Sequence, residues 1–281
     1  MKEIEVLRGH SKDPEKHCFD GDSTYVTGSY ENTLVRLLGI DALEIRGLSL
    51  YYLEKSGFLD TLDRQLWRYL KPKLTDSSIQ THKKLGFEAR EHLSSILEEK
   101  LMMSFDKEVF DKYGRALVYL SSGDGQDTYN FKLVESGYAI PYFIYPNGVS
   151  STEDGEWDYS TIRKMRNACI EAQENRMGIW EYMDDILLPM ELRFLTRREP
   201  PQKYCADLVN DFLYSPQHYH KVSIENRLFF YPRDVLTAIQ QAFRPTHDCP
   251  EWLHKAWKVI QAEDGKRGEQ DPRRKRREEL R

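Results

Sequence analysis

Val35-Arg36-Leu37-Leu38-Gly39-Ile40-Asp41-Ala42-Leu43-Glu44 sets one fixed cation and two carboxylates at the end of an apolar strand. Strand alternation alone would send Arg36 and Asp41 to opposite faces. They converge only if the strand ends or bulges between them, and Gly39 gives the backbone freedom for that bend. Each side chain has a use in phosphodiester chemistry: a guanidinium fork neutralises phosphate, a carboxylate holds a hard cation, and a second carboxylate takes a proton from water. A guanidinium inside an apolar run also requires a partner, because burying a lone charge is costly.

The surrounding sequence predicts strands at 24–27 and 33–40 joined by a turn, with Asp20-Gly21-Asp22 just before them. Ala89, Leu93, Ile96 and Leu97 mark an amphipathic helix over 87–100. Strands over 101–105 and 116–120 flank Asp111-Lys112-Tyr113-Gly114-Arg115, a helix over 130–136 ends at Gly137, and Ile162, Met165, Cys169 and Ala172 mark a third helix. The apolar stretch 48–74, inside the 44 residues between Glu44 and Ala89, adds one or two helices. Beyond residue 187, strands are expected at 192–195 and 227–231 and helices at 232–243 and 250–262. Residues 264–281 hold 8 basic and 5 acidic side chains and few apolar ones, including Arg273-Arg274-Lys275-Arg276-Arg277, and read as a disordered, solvated tail.

With 41 basic and 46 acidic residues, the net charge of −5 excludes a chain that coats nucleic acid through bulk positive charge. A polyanion would have to be met locally. The 40% hydrophobic and 12% aromatic content is ample for a packed core over 281 residues. Residues 1–10 contain no apolar run of signal-peptide length and no later stretch has membrane-spanning length, so a soluble, cytoplasmic protein with no membrane partner is expected. Cys18, Cys169, Cys205 and Cys249 lack Cys-x-x-Cys spacing and read as reduced structural thiols. His218-Tyr219-His220 with His247 and Cys249 lacks the close cysteine pairing of a zinc site.

Four motifs in order, Asp-Gly-Asp at 20–22, Arg-Leu-Leu-Gly-Ile-Asp-Ala-Leu-Glu at 36–44, Asp-Lys-Tyr-Gly-Arg at 111–115 and Gly178-Ile179-Trp180, resemble the staphylococcal nuclease (thermonuclease) family over about residues 15–185. The resemblance implies an α+β fold: an OB-type five-stranded β-barrel with packed helices in a domain 1–186, interrupted by a helical insertion at about 45–82. A small C-terminal α/β module (187–262) of unassigned chemistry and the tail from 263 follow. The implied activity is a Ca²⁺-dependent phosphodiesterase that cleaves DNA and RNA, prefers single strands and leaves 3'-phosphate ends.

In that likeness Asp22, Asp41 and the carbonyl of Ala42 ligate one Ca²⁺, while Asp20 orients its loop. Glu44 is the general base, and Arg36 and Arg115 clamp the phosphate. Lys112, Tyr113, Phe143 and Tyr145 contact the nucleotide. Ala42 stands where the family commonly has Thr, Leu43 where it has Pro and Phe143 where it has a second Tyr. The loss of Pro loosens the position of Glu44, and the insertion beside it is a candidate lid. The competing expectation is a nucleic-acid-binding or scaffold protein with weak or no catalysis, recruiting a protein partner through the insertion or the C-terminal module.

Overall fold

The computed structural model describes residues 2–6, 18–27, 32–123, 127–151 and 157–267. Its N-terminal half supplies strands β1 (Lys2–Val6), β2 (Cys18–Asp20), β3 (Ser23–Thr27), β4 (Asn32–Leu37) and β5 (Ile40–Ala42), helices α1 (Leu50–Lys55), α2 (Arg64–Leu70) and α3 (Asp76–Ile96), and strands β6 (Lys100–Ser104) and β7 (Ala116–Ser122). Then come α4 (Tyr129–Glu135), β8 (Ala139–Pro141), β9 (Phe143–Ile144), β10 (Ser150–Ser151), β11 (Trp157–Asp158) and α5 (Ser160–Glu174). The C-terminal part supplies α6 (Pro189–Arg197), β12 (Tyr204–Asp207), β13 (Phe212–Tyr214), β14 (Arg227–Phe230), α7 (Val235–Gln240), β15 (Arg244–Pro245) and α8 (Glu251–Arg267).

The first sheet runs β1-β6-β7-β4-β3-β2, and β1 also pairs with β3 through Glu5↔Thr27 and Val6↔Val26. β7 alternates buried and half-buried residues along its whole length, the mark of a strand with one face on the core. β4 lies parallel to it in the register Val35↔Ala116, Arg36↔Leu117 and Leu37↔Val118. Val35 and Leu37 therefore enter the core, and Arg36 points the other way. Asn130 of α4 fastens the end of this pair: its amide donates to the carbonyls of Leu38 (2.8 Å) and Val118 (3.0 Å), and its oxygen accepts from the Leu120 N–H (3.1 Å). A buried amide so fully satisfied fixes one packing arrangement.

α3 begins at Asp76, eleven residues before the expected start, because the Thr75 hydroxyl caps it by accepting from the Ser78 N–H (3.1 Å). Residues 192–195, expected as a strand, lie in α6. Four residues are too few to separate the two periodicities, and the deciding features precede them. Pro189 suits the first helical turn, and the Glu191 carboxylate accepts from the Leu188 N–H (2.8 Å) and the Tyr219 hydroxyl (2.9 Å).

The 48–74 stretch holds α1 and α2. Leu53, Phe58, Leu66 and Leu70 bury themselves against Leu192, Leu195, Tyr219 and Phe229, which are C-terminal residues. A second sheet, β15-β13-β12-β14-β9, joins β9 to β14 in parallel, so it draws strands from both sides of residue 187. α8 extends to Arg267, into the stretch expected to be disordered; residues 268–281 lie outside the described residues, as does the 28–31 turn. Among the described residues, no helix is long and apolar enough to cross a membrane.

Candidate active site

β4 ends at Leu37, the chain turns through Leu38-Gly39, and β5 starts at Ile40. Gly39 takes φ +76°, and a Cβ there would lie 2.6 Å from the Phe143 ring. The turn therefore needs a residue that tolerates the left-handed region and has no side chain. By breaking the alternation, it returns Asp41 to the face that carries Arg36. Arg36 then bridges two acids, Nη1 on Asp22 Oδ1 at 2.5 Å and Nη2 on Asp41 Oδ1 at 2.6 Å.

Asp22 is 1% exposed and Asp41 fully buried. The Asp-Gly-Asp turn is ordered by Asp20 Oδ1, which accepts from the Asp22 N–H (3.2 Å), and Asp22 Oδ2 accepts from the Ala42 N–H (2.8 Å). Burial, with Asp20 and Asp41 nearby, pushes Asp22 well above the usual carboxylate range despite Arg36. Burial would do the same to Asp41, but two guanidinium groups hold it below that range.

The second of those groups comes from Arg193 on α6. Its Nη1 meets Asp41 Oδ1 (2.8 Å) and Glu44 Oε1 (2.8 Å), and its Nη2 meets Asp41 Oδ2 (2.6 Å). Arg193 does not stand out in the sequence, because 192–195 reads there as a strand in a module of unassigned chemistry. One signal was available: an arginine in an apolar tetrad needs a partner, the same argument that singled out Arg36.

Glu44 is fixed from behind by α3. A Cβ on Gly86 would lie 2.7 Å from the Glu44 carbonyl oxygen, so helix and loop touch backbone to backbone. The Glu44 N–H donates to His82 Nε2 (2.9 Å), while His82 Nδ1 lies 2.9 Å from the Leu187 carbonyl. Accepting at one nitrogen and donating at the other defines a neutral imidazole. Burial agrees, lowering its pKa to about 4.

Arg115 sits in a tight turn. The Asp111 carboxylate accepts from the Tyr113 and Arg115 N–H groups (2.9 and 3.0 Å) and from Arg115 Nε (2.8 Å). Arg115 Nη1 donates to Ser23 Oγ (3.4 Å), which donates to Asp22 Oδ1 (3.2 Å), so this guanidinium joins the same network. Arg36, Glu44, Lys112, Tyr113, Arg115 and Phe143 line one cavity of about 990 Å³. Phe143, 1% exposed, supports the turn from beneath.

Tyr145 is placed elsewhere: its ring stacks on Trp157 and Phe230 (centroids 5.0 and 5.2 Å apart), in the aromatic core formed where β9 meets β14. Residues 48–74 do not line the cavity, whereas Arg46, at the start of the insertion, does. The C-terminal part forms that wall, with Arg193, Arg197, Lys203, Tyr231 and Arg233. Lys203 lies over the rings of Tyr142 (5.7 Å) and Tyr231 (5.2 Å), and Arg197 over Tyr113 (5.9 Å). His218 pairs with Asp248 (3.0 Å) and Ser215 (2.8 Å), apart from this cleft.

The staphylococcal nuclease homologue family model matches residues 34–182, more than half of the chain. The chain belongs to that family. It is 30% identical over 150 residues to endonuclease YhcR of Bacillus subtilis, covering 52% of this chain and 12% of that protein. It is 26% identical over 167 residues to the thermonuclease of Staphylococcus intermedius, covering 59% of this chain and 74% of that one. It is also 29% identical over 175 residues to the uncharacterized protein MJ1439 of Methanocaldococcus jannaschii, covering 59% of this chain and 70% of that protein. The matched segment holds Arg36, Asp41, Glu44 and Arg115; Arg193 lies beyond it.

The Asp22 and Asp41 carboxylates and the Ala42 carbonyl are hard oxygen donors, chemically suited to Ca²⁺. Among the described residues, no three His, Cys, Asp or Glu side chains gather as a metal-ligand cluster. Guanidinium groups lie between the acids instead, and each of the four Asp22 and Asp41 oxygens receives an N–H.

Proposed function

We propose that this protein is a phosphodiester hydrolase acting on DNA and RNA, with its reaction centre between Arg36, Glu44 and Arg115. The observation that carries this reading is the convergence of Asp22, Asp41, Glu44, Arg36 and, through Ser23, Arg115 in one hydrogen-bonded network beside one cavity. The ring of pairings β1-β6-β7-β4-β3-β1 supports reading the first sheet as the family's OB-type barrel. Residues 187–262 then supply the wall that faces it.

Asp22, Asp41 and the Ala42 carbonyl would hold one Ca²⁺, which when bound neutralises phosphate charge. Glu44 accepts a proton from the attacking water, its backbone held by His82. Arg36 and Arg115 stabilise charge building on the phosphoryl oxygens. Asp111 pre-orients Arg115, so little reorganisation is needed when phosphate arrives.

Lys112, Arg197 and Lys203 line the path of the backbone. Tyr113 is 58% exposed and Phe110 64%, and both line the cavity, offering faces on which unpaired bases stack. Single strands therefore suit the cleft better than duplex.

The second reading is a binding protein with little catalysis, favoured by the engagement of both Asp41 and Glu44 with Arg193. Incubation with denatured DNA in Ca²⁺ or EDTA, beside Glu44→Gln and Arg36→Ala, separates the two. Cleavage lost in EDTA and in both variants supports the hydrolase; cleavage that survives all three, or never occurs, removes it.

A further inference from the structure

Arg193 brings one positive charge to Asp41, a carboxylate assigned above to the proposed ion. It contacts both oxygens of Asp41 and one of Glu44, from a helix outside the segment that matches the family. Its side chain is 22% exposed and lines the cavity, and its guanidinium carbon already lies 5.9 Å from the centre of the Tyr142 ring. Arg36 is likewise tied to two acids, Asp22 and Asp41, but its side chain is more buried, at 14% exposure.

We propose that Arg193 is the resident cation of this cleft and competes with a divalent ion for Asp41. Resting on the reading that Asp22 and Asp41 hold the ion, the proposal adds a cost specific to this chain. Ion entry requires Arg193 to withdraw from Asp41, and the same withdrawal frees Glu44. Loading the cation and releasing the base are therefore one event. Arg36 and Arg193 already share Asp41 Oδ1, so a divalent ion would be a third cation on that carboxylate, and the withdrawal of Arg193 relieves the repulsion. When the withdrawn state is a minority, the apparent affinity for the ion falls by its fractional population.

The test is binding of Ca²⁺ to the full chain, by calorimetry and by displacement of luminescent Tb³⁺, without substrate. Arg193→Gln should bind Ca²⁺ about tenfold or more tightly than wild type, as expected when the withdrawn state is under about one part in ten. The gain should vanish in Arg193→Gln/Asp41→Asn. Arg193→Lys, whose ammonium cannot span both oxygens, should show a smaller gain and serves as the test if Arg193→Gln does not fold.

Equal affinity in wild type and the Arg193 variants overturns the proposal. If Asp41→Asn alone still weakens binding in that case, the assignment of Asp41 as a ligand stands. If Asp41→Asn changes nothing and no variant gains affinity, both fail.

Discussion

Arg193 and Asp41 meet as a two-pronged ion pair across 152 residues of chain, Nη1 on Oδ1 at 2.8 Å and Nη2 on Oδ2 at 2.6 Å. Asp41 is fully buried, so removing one of its two guanidinium partners leaves charge poorly compensated. Arg193→Ala should cost about 2–4 kcal/mol in urea unfolding without added metal. A loss below about 0.5 kcal/mol would mean that the pair contributes little to the fold.

Glu44→Gln keeps size and the backbone tie to His82 but cannot take a proton. Its kcat on denatured DNA should drop about a hundred- to thousandfold, with oligonucleotide affinity nearly unchanged. Arg115→Ala should lower kcat by a similar factor by removing a donor to the developing charge. An Arg115→Ala enzyme of normal rate would place the phosphate elsewhere.

The C-terminal wall should act on binding. Lys203→Ala and Arg197→Ala should weaken single-stranded DNA binding while leaving kcat at saturation intact. If each contacts one phosphate, each reduces the salt slope by about 0.7. Fluorescence anisotropy at several salt concentrations reads both effects, and unchanged slopes would remove the wall from the substrate path.

His82 predicts a pH dependence. Its folded pKa of about 4 lies below the ordinary 6.5, so the unfolded chain binds the proton more readily between those values. The stability linked to this group is complete above about pH 6.5 and declines as pH falls toward 4, by up to about 3 kcal/mol. His220, also lowered to about 4 by burial, adds in the same direction. His82→Gln can keep both hydrogen bonds but does not titrate, so thermal unfolding between pH 7 and 4 should show a shallower slope.

Gly86→Ala would put a methyl 2.7 Å from the Glu44 carbonyl oxygen. Helix and loop must separate, at about 1–3 kcal/mol. Activity should fall further than stability explains, because Glu44 moves while Arg36 does not. Unfolding and turnover measured on the same preparation check the split.

The motif around Arg36 was readable locally because a buried guanidinium and two nearby carboxylates constrain one another within nine residues, and Gly39 marks the turn that joins them. The strands beside it and the helix carrying Ile162 and Met165 were also legible, since their burial follows a period of two or of 3.6. The partners of Tyr145 and of the 48–74 stretch are not legible in the sequence, for one reason. Stacking on a base or on Phe230, and covering a cleft or packing on Leu192, use the same apolar surface, and only the partner differs.

The amino-acid sequence by itself determined the local chemistry: which segments are strand or helix over long periods, and which charges need partners. Tertiary structure alone decided the partners. It seated α6 against the β4–β5 turn, so that Arg193 rather than solvent meets Asp41. Pairing at such separation depends on packing between elements, which short-range periodicity does not encode.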